Sequence, residues 1–271
     1  MTPASTVAVA QFVPGSDRDE NIAQITELAE RAVERGASFV VFPEYSSYFT
    51  ATMGEDWVTA AEPLDGPFVQ ALTSLAQRLR IHLAAGMLQS SDEDNRFWNT
   101  LVAIAPTGAI VATYSKQHLY DAFGQRESDW VIPGSISEPT TFSWEGFTVG
   151  LQTCYDIRFP EVSRRLVDAG ANLIVVPAEW VRGPLKEYHW RTLLTARAIE
   201  NTVFLAAADH APPIGVGHSM VVDPMGVELV TIGERTDVAV AHIELARLDE
   251  VRATNPALSL RRYGVHPLEE R

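Results

Sequence analysis

The sequence predicts an α/β fold in which two mixed sheets pack face to face between outer helices, an α-β-β-α sandwich. Three observations carry this. Strand-like apolar runs alternate with stretches of helical period along 271 residues. The strands are nearly continuous apolar runs, as expected where a sheet is covered on both faces. The order also runs twice: "GASFVVFPEYS" is matched by "GANLIVVPAEW", and "TLVAIAPTGAIVATY" by "HSMVVDPMGVELVTI". The same spacing separates Pro106 from Pro224 and Gly108 from Gly226. That period is too long for a solenoid. It describes two β-α-β-α-β-β halves in a single domain over 1–271.

"TVAVAQF" reads as the first buried strand. Residues 17–35 place Ile22, Ile25, Leu28, Ala29, Ala32 and Val33 on one helical face, and Gly36 supplies the stop. "SFVVFP" is the next strand. A second helix spans 66–80, with Phe68, Leu72, Leu75, Ala76 and Leu79 on one side. "IHLAAGML" follows, then two strands around Ala-Pro-Thr-Gly. In the second half "FTVGLQTC" is a strand, 160–169 and 186–201 are helices, and "TVFLAAAD" is a strand. The connecting "GSISEPTTFSWEG" is too short and too aromatic to be a flexible tether.

Composition narrows the function classes. A net charge of −14, with 21 Lys+Arg against 35 Asp+Glu, argues against nucleic acid as a partner. No apolar run approaches the roughly 18 residues that span a bilayer, so no membrane partner is expected. "MTPASTVAVAQFV" lacks the charged n-region of a signal peptide. One cysteine makes no internal disulfide, and the expected location is cytoplasmic. The seven histidines are dispersed and no metal or nucleotide motif occurs. No metal or cofactor is expected.

Three polar residues of different chemistry stand just past strand ends: Glu44, Lys116 and Cys154. Sites in helix-covered sheets gather at the carboxyl ends of strands. Alone, each has a plain reading: a capping or paired carboxylate, a surface lysine, and a small buried hydrophobe. Together they suit acyl transfer through a thioester. The thiol is the nucleophile, the carboxylate a base and acid, and the ammonium a stabiliser of the oxyanion. A Cys–His hydrolase using His118, or a binding protein that has kept the fold, are the alternatives.

"FPEYS", "YSKQHLYD" and "CYDIRFPE" resemble the Glu, Lys and Cys motifs of the nitrilase superfamily of carbon–nitrogen hydrolases. "GHSMVVDPMG" and "LLTARAIENTVFLAAA" are most similar to its amidase branch of Nit proteins. The resemblance implies a nitrilase-like sandwich, a homodimer and a small-molecule amide substrate. It implies that Cys154 is the nucleophile, Glu44 the base, and Lys116 with the N–H of Tyr155 the oxyanion hole. Glu127, in "ESDWVIPG", matches the family's second glutamate. Tyr48 and Trp180 are expected to edge the cleft. Arg158 is expected either to hold a substrate carboxylate or to pair with Asp156 or Glu161. Asp156 reads as a turn residue. Glu179 in "PAEW" departs from the family's small or neutral residue; facing the pocket, it would disfavour anionic substrates. "CYD" sets the chain apart from the "CWE" nitrilases and "CNDRR" N-carbamoyl hydrolases.

Overall fold

The computed structural model describes residues 4–136 and 138–268. Residues 1–3, Ser137 of the connecting loop and residues 269–271 fall outside that range. The first half runs β1 (Ser5–Gln11), α1 (Arg18–Glu34), β2 (Phe39–Val41), α2 (Glu55–Ala60), α3 (Pro67–Leu79), β3 (His82–Ser90), β4 (Phe97–Ile104) and β5 (Ile110–Ser115). A two-residue β6 (Val131–Ile132) and β7 (Thr141–Trp144) lead to the second half. That half is β8 (Phe147–Leu151), α4 (Pro160–Asp168), β9 (Leu173–Ala178), α5 (Lys186–Asn201), β10 (Phe204–Asp209), β11 (Met220–Val222) and β12 (Glu228–Thr231). β13 (Asp237–Ile243) and α6 (Leu245–Thr254) follow.

One sheet has the order β13-β1-β2-β3-β4-β5, with β6 beside β4; the other is β12-β11-β10-β9-β8-β7. β1, β2 and β3 are parallel, as are β8, β9 and β10. The alternation of side chains along a strand sorts the core into layers. Val7, Val9, Phe39 and Val41 meet Leu173, Val175, Phe204 and Ala206 between the sheets. Ala8, Ala10 and Val40 point the other way, onto Ile25, Leu28, Phe68 and Leu72 of α1 and α3. Ile174 and Val176 pack on Trp190 and Leu194 of α5. This explains why the strands read as unbroken apolar runs.

Local chemistry sets the helix ends. Asp17 caps α1 by accepting from the N–H groups of Asp19 and Glu20. Pro67 and Pro160 open α3 and α4, where a missing N–H costs nothing. The two matched turns are also equivalent in three dimensions. Gly108 and Gly226 have φ of +85° and +83°. A Cβ at either would come within 2.5 Å of Gln77 and 2.6 Å of Ile199 respectively, side chains of the preceding helices.

Among the described residues each sheet's main path has six strands, two more than the four of the β-α-β-α-β-β pattern, and each sheet gains an antiparallel outer partner. β7 lies in the stretch read as a connecting loop. It forms a hairpin with β8 through Glu145 and Gly146, both at positive φ. β13 pairs with β1 from Ser5↔Ile243 to Gln11↔Asp237. Its face is only partly buried, which leaves a weak strand signal.

Phe39 is fully buried and meets Phe142 and Trp144 edge-on or tilted across the sheets. Phe39→Ala should cost roughly 3–5 kcal/mol of stability, the range for large buried aromatics. Urea denaturation measures it, and a loss below about 1 kcal/mol would contradict this packing.

Candidate active site

Glu44 stands in the turn after β2, where Tyr45 has φ of +54°. Gly86 of β3 makes that turn fit. A Cβ there would lie 2.6 Å from the Glu44 Cα and 2.7 Å from the Tyr45 nitrogen, and its own carbonyl accepts from Ser46 N at 2.8 Å. Lys116 follows β5, its N–H bonded to Asn99 O of β4 at 2.9 Å. Cys154 follows β8 and opens a 3-10 turn, Cys154–Arg158, at a φ of +45°. A non-glycine residue held there is strained, a feature that clusters at functional sites. Asp156 secures this elbow. Its carboxylate accepts from Thr153 N at 3.0 Å, Tyr114 OH at 2.7 Å, and both His118 N (3.0 Å) and Nδ1 (2.9 Å).

The side chains converge in the core. The Lys116 Nζ, 2% exposed, donates to Glu44 Oε1 at 3.0 Å and to Glu127 Oε2 at 2.8 Å. Asn99 Nδ2 bridges the same two carboxyl groups at 2.7 and 3.2 Å. Tyr45 OH and Tyr120 N complete the shell of Glu127, each at 2.5 Å. The second oxygen of Glu44 accepts from Glu179 N at 2.7 Å. The Cys154 Sγ faces Glu179 O at 3.6 Å.

Electrostatics follow from this packing. Burial alone would lower the Lys116 pKa, but Glu127 and Glu44 outweigh it and hold the ammonium well above its ordinary value. Burial, then Glu44, pushes the Cys154 thiol well up, against the pull of Lys116. The resting sulfur is therefore a thiol, and its attack needs a base to take the proton.

These groups open onto a cleft of about 500 Å³ lined by Glu44, Lys116, Glu127, Cys154, Tyr155, Glu179 and Trp180. Tyr48 is not in its wall: its hydroxyl turns to Asp56 at 2.7 Å and its ring packs on Trp57. Arg158 is not among its lining residues either; its guanidinium is 4.8 Å from the Trp180 ring centroid. It forms no ion pair with Asp156 or Glu161 among the described residues. His118 is held by Asp156, stacks on Phe159, and lines a separate cavity of about 490 Å³ that contains none of the converging residues. That removes the Cys154–His118 pair from consideration. Among the described residues no cluster of His, Cys, Asp and Glu could hold a metal ion.

The site is thus a thiol beside a buried Glu–Lys–Glu network. The carbon–nitrogen hydrolase family model matches residues 6–253. The chain belongs to the carbon–nitrogen hydrolase family. The chain is 38% identical over 264 residues to a deaminated glutathione amidase of Escherichia coli O157:H7, covering 95% of this chain and 97% of that one. It is 34% identical to the deaminated glutathione amidase of Homo sapiens, over 97% of this chain and 85% of that one. Among solved structures, the Caenorhabditis elegans NitFhit protein superposes with a TM-score of 0.88 at 31% identity, over 96% of this chain and 66% of the longer one. An amidase from Nesterenkonia sp. gives 0.78 at 27%, over 96% and 98%. This carbon–nitrogen hydrolase has the nitrilase-superfamily sandwich and is a hydrolase of non-peptide carbon–nitrogen bonds.

Sequence reasoning missed several groups around the site. Asn99, Tyr45, Tyr120 and Lys186 all touch the network or the cleft. Asn99 carried a usable signal: it is a polar residue that opens the apolar run "NTLVAIA". His210 is the least visible. It is fully buried, and its Nε2 lies 2.7 Å from the Glu44 carbonyl oxygen. A carbonyl only accepts, so Nε2 carries the proton, and Nδ1 has no partner among the described residues.

Burial, against the pull of that carbonyl, brings the His210 pKa down from 6.5 to about 4. A depressed folded value means the neutral ring's contribution is fully present above 6.5 and is lost as the pH falls through 4. Acidification across this window should cost on the order of 3 kcal/mol. Urea denaturation at pH 7 and pH 4 measures it. His210→Gln should flatten the dependence, and equal slopes for the two proteins would rule His210 out as the source.

Proposed function

We propose that this carbon–nitrogen hydrolase is an amidase that hydrolyses a small primary amide through a cysteinyl thioester, with Glu44, Lys116 and Cys154 as its triad. The observation that carries the reading is the buried thiol beside a carboxylate whose other neighbour is a fixed ammonium. Glu44 takes the thiol proton as Sγ attacks the amide carbonyl carbon. The carbonyl oxygen becomes an oxyanion, met by the Lys116 ammonium and the Tyr155 N–H. Glu44 then protonates the departing nitrogen, the C–N bond breaks, and ammonia leaves behind a thioester. Water attacks the thioester carbon while Glu44 takes its proton. The C–S bond breaks, and the carboxylate product and a reprotonated thiol remain. Glu127 and Asn99 hold the Lys116 ammonium toward this reaction, with no proton transfer of their own.

The names of the relatives support an amide substrate, and deaminated glutathione belongs in the first screen because several relatives are named for it. A thiol nucleophile must stay reduced, which fits a cytosolic setting. The homodimer implied by the family fits the exposed apolar group Ile199, Met225 and Val227, gathered at the Gly226 turn.

Cys154→Ala should abolish ammonia release from a panel of primary amides, at least about 10³-fold, while circular dichroism stays unchanged. Glu44→Gln should do nearly the same and also slow alkylation of Cys154 by iodoacetamide at pH 7. Full turnover by the Cys154 variant would end the thioester reading. Light scattering should give a native mass near twice 29.8 kDa; a monomer at micromolar concentration would refute the dimer.

A further inference from the structure

Glu179 is a cleft carboxyl that the reaction leaves unused. It directly follows β9, is partly buried and lines the cleft. Its backbone is pinned on both sides. The N–H donates to Glu44 Oε2 at 2.7 Å, and the carbonyl oxygen faces Cys154 Sγ at 3.6 Å. The next residue, Trp180, donates its N–H to Asp209 Oδ1 at 2.7 Å and accepts from Val216 N at 3.0 Å. The Glu179 carboxyl itself makes no hydrogen bond and no ion pair among the described residues.

This anchoring limits what the carboxyl can reach. Two methylenes carry it no more than roughly 5 Å from its own Cα. That Cα belongs to the residue whose N–H holds the base and whose carbonyl faces the sulfur. An amide placed for attack has its carbonyl carbon about 3–3.5 Å from Sγ. The carboxyl is therefore matched to a group on the carbon next to that carbonyl, and not to the far end of a substrate.

The charges around it favour a cation there. Glu44, Lys116 and Glu127 face it from the first half, and Lys186 faces it from α5. Burial first, then Glu44, pushes the Glu179 pKa well above the ordinary carboxyl value, while Lys116 and Lys186 pull it back. Cys154, Tyr45 and Tyr120 feel its charge in turn. The exposed Arg126, Asp129 and Arg182 complete the charged lining. At rest Glu179 is a neutral acid among two carboxylates and two ammoniums that balance. An ammonium entering beside it takes the place of its proton. The acid ionises, the proton leaves to solvent, and the total charge of the cleft is unchanged. An anion gains nothing from that exchange.

Resting on the amidase reading above, we propose that Glu179 is the specificity-determining residue of this cleft and receives a protonated amine on the carbon next to the scissile carbonyl, so that the substrates are 2-amino amides.

L-Alaninamide, L-lactamide and propionamide isolate the effect, because they differ only at that carbon: ammonium, hydroxyl or hydrogen. The wild-type kcat/KM should favour alaninamide over propionamide by at least about tenfold, with lactamide between them. Glu179→Gln keeps the length and polarity of the side chain but removes the charge, and should bring the alaninamide/propionamide ratio toward one. Glu179→Asp should restore part of it. Binding to Cys154→Ala protein, with Glu179 intact, gives a readout independent of turnover and of any Glu179 variant. Calorimetry at about pH 6, where free alaninamide is protonated, should show alaninamide binding at least about tenfold tighter than propionamide. Heats in buffers of different ionisation enthalpy should report the release of about one proton per alaninamide bound, and none for propionamide. Equal rates for alaninamide and propionamide, lactamide as good a substrate as alaninamide, or alaninamide that fails to bind or binds without proton release overturns the proposal. Alaninamide binding with proton release in Cys154→Ala protein, but no turnover of any of these amides by the wild type, would instead overturn the amidase reading.

Discussion

One buried ammonium holds this site together. Lys116 is shared by Glu44 and Glu127, and the three residues come from different parts of the first half, after β2, after β5 and just before β6. Desolvating such a group is expensive unless every neighbour is in place. Asn99 closes the set by donating to both carboxyl groups, and the Lys116 N–H returns a bond to Asn99 O. The network is therefore also a register lock. A slip of β4 against β5 would move Asn99 away from the carboxyl groups and leave charges unpaired in the core. Precision at the site and correctness of the sheet become the same requirement.

The second half supplies what the first lacks. Cys154 is delivered by β8 of the other sheet, and Asp156 joins its turn to the Lys116 strand through Tyr114 and His118. Glu44 reaches in the opposite direction, to Glu179 N after β9 and through its carbonyl to His210 after β10. The repeated "GA-strand-Pro" units thus end up face to face, and their last residues bond each other across the sandwich. Sulfur and base are set by different sheets, so the thiol can remain protonated beside a base without the two collapsing into one local turn.

Much of this was legible in the sequence, because it depends on short-range rules. Apolar runs gave the central strands, caps and prolines gave the helix ends, and the matched Pro-x-Gly turns gave the two halves. Glu44, Lys116 and Cys154 could be read because each follows a strand directly. Glu127 could be placed only by its motif, since nothing near it marks it as buried. Tyr48 sits beside a strand end but swings to Asp56, a choice made by α2, which no periodic pattern announced. Asn99, His210 and Lys186 act across 28 to 166 residues of chain. Their partners are set by topology, which a linear reading does not contain. Glu179 shows the limit most clearly. Its position was visible, but not that burial, and then Glu44, would push its pKa well above the ordinary value.

β1 carries a further consequence. Its outer neighbour is β13, more than 200 residues later. Gln11, at its end, donates to Gly233 O and Arg235 O and accepts from Ser219, whose own hydroxyl receives the Asp209 N–H. Asp209 in turn orients Trp180 of the cleft wall. One edge of β1 is therefore closed only by a strand far along the chain. A chain clipped before residue 219 would keep Glu44, Lys116 and Cys154 but lose the Gln11–Ser219–Asp209 series of bonds that orients Trp180.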